Sequence, residues 1–94
     1  MRSIRPLAPP FEGQGELRFS GYAGEVQYKI QGDPVKLKPG PLRLRGSFTV
    51  DAETAADAFR AGEAILVASS GETYRLTMLG HTSGGGEVFV EFRV

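Results

Sequence analysis

The chain has no cysteine, no asparagine and no tryptophan, and its one histidine is His81. Without cysteine there can be no disulfide, no thiolate metal site and no Cys nucleophile. One histidine and no cysteine exclude nearly every form of zinc site, which needs three or four such ligands. Calcium loops place Asp or Asn at close intervals ahead of a terminal Glu. Here Asp51, Glu53 and Asp57 are better explained as charges on a helix. No metal site and no cofactor is expected.

Long apolar runs are also missing. None approaches the roughly 18 residues of a membrane-spanning helix. The first residues, MRSIRPLAPPFEGQG, carry positive charge but no apolar core of the kind a signal peptide needs. A cytoplasmic protein with no transmembrane segment is expected. Ninety-four residues make one domain. Thirteen glycines and six prolines favour short strands and many tight turns.

The charges balance but are unevenly placed. Residues 1–50 hold eight Lys/Arg against four acids, a net +4, and residues 51–94 hold three against seven, a net −4. Such a split can mark an anionic partner for the basic half. The plainer reading is that the two halves fold against each other. A dedicated nucleic-acid binder is not expected, because the chain as a whole is not basic.

Residues 1–14 read as a flexible tail, with Pro6, Pro9 and Pro10 favouring extended backbone. The single globular domain is placed at 15–94. Within it the dominant period is two. Leu17 and Phe19 share a face, and Val26, Tyr28 and Ile30 alternate with four polar residues, the pattern of strands with one wet side. The linker 21–24 makes these two a hairpin. Pro34, Pro39 and Pro41 make 34–38 a short edge strand at best. Leu42, Leu44, Phe48 and Val50 then share one face, where Gly46 allows a bend or bulge.

At Asp51 the period changes. Ala52, Ala55, Ala56 and Phe59 fall at helical spacing, Asp51 suits an N-cap and Gly62 a C-terminal stop. A helix over about 52–61 follows, with Phe59 as its anchor on the sheet. The run Ala64–Ala68 is apolar at every position and reads as a strand covered on both sides. Tyr74, Leu76 and Met78, and then Val88, Val90 and Phe92, are the inward residues of a last hairpin. The fold class is mainly β (α+β): a small antiparallel barrel or two-layer sandwich of about six to seven short strands, with one helix between the middle strands.

Catalytic groups are scarce. A Ser-His-Asp triad would rest on His81 alone, and no strained nucleophile turn is present. Glu87 and Glu91 share a strand face, but four residues of strand separate them by roughly 13 Å, too far to act on one bond. The run Gly84–Gly86 leads into a strand, whereas phosphate cradles lead into a helix. PilZ domains, barrels that bind a cyclic dinucleotide, carry R-x-x-x-R followed by D/N-x-S-x-x-G. Ser83 and Gly86 match the end of that signature, but His81 replaces the acid or amide and no R-x-x-x-R occurs. No catalytic residue is assigned, and the chain is not expected to be an enzyme.

Two binding features remain. Phe89 sits on the polar side of a strand that otherwise alternates cleanly, and Tyr22 and Phe11 are further aromatics outside the alternating core set. Together they suggest an interaction or assembly module that meets a protein partner or a second copy of itself, with the C-terminal strand as an available edge. The alternative is an anionic ligand, such as a nucleotide, nucleic acid or anionic lipid. It would sit on the basic hairpin formed by Lys36, Lys38, Arg43 and Arg45, with Lys29 as an extension of it.

Overall fold

The computed structural model describes residues 11–34, 37, 42–82 and 84–94. Six strands and one helix follow in the order β1 (Phe11–Phe19), β2 (Tyr22–Ile30), β3 (Leu44–Thr49), α1 (Ala52–Ala61), β4 (Glu63–Ala68), β5 (Thr73–His81) and β6 (Glu87–Arg93). The strands close into an antiparallel barrel in the order β1-β2-β3-β6-β5-β4, with β4 returning to β1. Of the two architectures open from sequence, the barrel is the one formed.

Alternation dictates the inside. Leu17, Val26, Tyr28, Ile30, Phe48, Leu66, Leu76, Val88, Val90 and Phe92 are all buried. At one end Tyr28, Tyr74 and Phe92 pack as a trio, with ring centroids 5.9–6.5 Å apart. Burial raises the pKa of both tyrosines, and the Glu72 carboxylate adds to it. Tyr74 donates its hydroxyl to Glu72 at 3.0 Å.

Strand β1 begins at Phe11 and pairs with β2 from Phe11↔Ile30 through Gln14↔Gln27, so residues 11–14 are barrel rather than tail. Residues 1–10 lie outside the described residues. The first hairpin is tighter than the expected four-residue link. Only Ser20 and Gly21 turn, both at positive φ, as a two-residue hairpin turn requires. Of the 34–38 piece, Pro34 and Leu37 are described. Leu37 is buried and its N–H donates to the Pro34 carbonyl at 3.0 Å. Leu42 precedes β3 and is exposed, not part of the inner face.

Helix α1 is capped as its sequence dictates. Thr54 gives its N–H (3.1 Å) and its hydroxyl to the Asp51 carboxylate, and these bonds lower the Asp51 pKa. Gly62, at φ 84°, ends the helix by donating to the Ala58 and Phe59 carbonyls. The buried stripe is not the expected one, however. Ala55 and Ala58 are fully buried against the barrel, while Phe59 is 41% exposed and rests on the His81 ring, 5.0 Å away. Two alanines let the helix lie close to β4, β5 and β6, a closeness that a phenylalanine in the stripe would prevent. One short helix also cannot cover the outside of β4. Ile65 is accordingly exposed and Val67 half-buried, not sandwiched as the apolar run suggested.

Gly46 makes no bulge. A β-carbon there would collide with the Lys29 carbonyl oxygen and the Phe92 ring, so its role is close approach between β2 and β3. The bulge lies in β5, where the register with β6 shifts between Met78 and Gly80 and leaves Leu79 outside the ladder. Gly86 likewise has no room for a side chain, because the Val50 carbonyl crosses it, and Val50 donates to the Gly86 carbonyl at 2.8 Å.

Candidate functional site

Closure of the barrel removes one expected site. Strand β6 lies between β3 and β5 and is paired on both sides, so the C-terminal strand offers no edge. What it offers is its outer face. There Ser47 on β3 and Gly80 on β5 are the cross-strand partners of Phe89, one on each flank. Both are small, and the Phe89 ring rises beside them with 43% of its surface exposed.

The result is a cleft of about 530 Å³, lined by Lys29 of β2 and Gln31 just after it, on β3 by Arg45, Gly46 and Ser47, on β5 by Leu79 and Gly80, and on β6 by Glu87, Phe89 and Val90. Ser47 is its floor: although on the outer side it is only 6% exposed, and it donates its hydroxyl to the Glu87 carboxylate at 2.8 Å. The bulge thrusts Leu79 outward, which adds a second exposed apolar side chain to the rim.

Neither cation of the cleft is within ion-pair distance of an acid among the described residues, although each has a carboxylate as its cross-strand partner, Glu12 for Lys29 and Glu91 for Arg45. Among the described residues the ion pairs are Arg18–Glu16, Arg43–Glu91 (3.7 Å) and Arg60–Asp57. Lys29 and Arg45 take no part in them. Glu87 is the one carboxylate lining the cleft, and it is held by Ser47. Lys29 and Ser47 also line an adjoining hollow of about 270 Å³ with Glu12, Gln27, Tyr28 and Thr49. The arrangement can take an apolar group against Phe89 and Leu79 and an acidic group beside Lys29 and Arg45.

The structure therefore joins parts of two separate sequence readings. Arg45, from the basic hairpin, and Phe89, from the aromatic set, line the same cleft, with Lys29. Arg43 faces Glu91 instead. Lys36 and Lys38 lie outside the described residues. The aromatic set does not converge. Tyr22 stacks on Phe19 at 5.0 Å by the first hairpin turn, and Phe11 lies near Tyr28, ring centroids 6.2 Å apart, beside a hollow it shares with Leu37 and Tyr74. Sequence reasoning missed Ser47 and Gly80, whose smallness opens the cleft. Their signal was their size, which acquires meaning only once they are known to flank Phe89.

Gly84 sits at φ 71° in a turn, Gly86 is pinned against Val50, and Ser83 lies outside the described residues. His81 belongs to the end of β5, opposite Val88, with its exposed ring on Phe59. Among the described residues no three carboxylate or His side chains converge as a metal site would require, and no helix is long and apolar enough to cross a membrane. Comparison with protein families, with curated proteins and with solved structures found no match.

Proposed function

We propose that the chain is a non-enzymatic interaction module. It binds a partner protein through the Phe89 cleft, by a segment that carries an apolar side chain next to an acidic one. The observation that supports this reading is the joint placement of exposed Phe89 and Leu79 with Lys29 and Arg45, two cations in no ion pair among the described residues. Exposed aromatics beside arginine are typical anchors of protein interfaces. Opposite charge on the partner would steer the encounter and fix its register. The non-enzymatic reading rests on the sequence, with its single histidine and no cysteine.

The test is fluorescence anisotropy with a labelled peptide holding one leucine between aspartates, and with its asparagine counterpart. The acidic peptide is expected to bind, and the neutral one to bind at least roughly tenfold more weakly, since a charge-assisted hydrogen bond contributes about 1.5–3 kcal/mol. F89S and the pair K29E/R45E should each lower the affinity by a similar factor. Equal binding by F89S, or no binding by the parent chain, would overturn the reading. So would a dimer in sedimentation that F89S dissolves, because the occupant would then be a second copy.

The same cations also favour a second reading, a small anionic ligand. It predicts that a simple dicarboxylate competes fully with the peptide and that F89S binds it undiminished.

A further inference from the structure

A second row of arginines crosses the barrel where neither the charge count nor the motifs pointed. On the outer face, Arg93 of β6 is directly opposite Arg75 of β5, Arg75 opposite Ile65 of β4, and Ile65 opposite Arg18 of β1. These four line one shallow cleft of about 440 Å³, with Glu63 and Thr77 on the next rung. Like charges placed directly opposite on adjacent strands repel and weaken a sheet. Neither Arg75 nor Arg93 forms an ion pair among the described residues, and Arg18 is paired with its own neighbour Glu16. The apolar Ile65, 37% exposed, lies between Arg18 and Arg75.

We propose that this row is a binding site for a phosphate monoester carried on an apolar body. Adjacent strands are about 4.8 Å apart, so the two guanidinium stems rise close enough to fork onto one group. Two cations call for a dianion. A phosphate monoester carries about −1.5 to −2 charges near neutral pH, whereas a carboxylate carries one. Its ester substituent then lies along the barrel over Ile65, and Arg18 closes the far side about two strand spacings away.

The experiment is a chemical-shift titration of the isotope-labelled full chain at low salt with phenyl phosphate. Inorganic phosphate, benzoate and anionic phospholipid vesicles serve as separate arms. Phenyl phosphate is expected to move the side-chain N–H signals of Arg75 and Arg93 and the methyl signals of Ile65. It should bind more tightly than inorganic phosphate, which lacks the apolar body, and than benzoate, which lacks the second charge. R75Q and R93Q should each weaken it about tenfold or more, the loss of a charge-assisted bond. I65S should weaken phenyl phosphate and leave inorganic phosphate unchanged. F89S should change neither, so this site and the Phe89 cleft stand or fall separately. Absence of movement at Arg75 and Arg93 with millimolar phenyl phosphate would overturn the proposal. Benzoate binding as well as phenyl phosphate, or binding of vesicles alone, would overturn it too.

Discussion

Strand β6 has two flanks, and they follow opposite rules. Toward β3, opposite charges face each other: Glu91 is the register partner of Arg45 and pairs with Arg43, so the acidic half of the chain meets the basic half. Toward β5, Arg93 faces Arg75. The backbone differs in the same sense. Gly46, on the β3 flank, is wedged against the Lys29 carbonyl and Phe92, whereas Gly80, on the β5 flank, has open space where a side chain would go. The β3 strand is packed closely at Gly46, against the β2 backbone on one side and the Phe92 ring of β6 on the other. The β5 flank carries a bulge and a like-charge pair. The contrast teaches that a net charge of zero can hide local imbalance, and that such imbalance is where a partner has something to add.

The largest test of the contrast is the pair G46A and G80A. G46A forces β2 away from β3 and crowds Phe92, and it should cost more than about 2 kcal/mol in urea unfolding. G80A should stay within about 1 kcal/mol of the parent, because alanine fits and restricts the unfolded chain. Comparable losses in the two would erase the distinction.

Next in size is the response to alkali, where both flanks converge on one ring. Tyr28 and Tyr74 pack against Phe92, and the pKa of each is raised in the fold. Their contribution to stability is therefore complete below the unfolded value, about 10, and is lost as pH rises through the raised folded values. Urea midpoints should be level up to about pH 10 and fall beyond it. Y74F, which cannot ionise at that position, should fall less.

The helix cap tests the β5 flank alone, since α1 rests on β4, β5 and β6. The lowered pKa of Asp51 means that its contribution holds above the unfolded value and fades as pH drops through the folded one. D51A should lower helical circular dichroism and speed amide exchange in β5 more than in β2. Uniform acceleration along both would argue against the separation.

The smallest effect is the most pointed. R75E replaces a like-charge pair with an opposite one across β5 and β6, and should stabilise by ~0.2–1 kcal/mol at low salt. R45E sets two acids opposite each other across β3 and β6, and should destabilise by a similar amount. Both changes should shrink at high salt, where exposed charges are screened.

The inside of this barrel was legible because burial imposes period two on every strand. Val26, Tyr28 and Ile30 and then Val88, Val90 and Phe92 declare their face without any partner being known. The helix and its caps were legible for the same local reason, whereas its buried stripe was not. Ala55 and Ala58 outrank Phe59 because the helix lies close over the barrel, a tertiary fact. The outside of the barrel is written across strands. Arg75 and Arg93 are eighteen positions apart in the chain, yet the β5–β6 register sets them side by side. Lys29, Ser47 and Phe89 likewise come from three strands. Phe89 could be noticed in advance because it breaks its own strand's alternation, and Lys29 and Arg45 because of their charge, but not that the three meet.

The most direct test of the proposed role is to ask which flank a ligand finds. The isotope-labelled chain is titrated with the aspartate–leucine peptide, and backbone amide shifts are followed residue by residue. Shifts are expected at Ser47, Gly80 and Phe89, with quiet signals at Ile65 and Arg75. Shifts centred on Ile65, Arg75 and Arg93 with Phe89 unmoved, or no shifts at all, would contradict it.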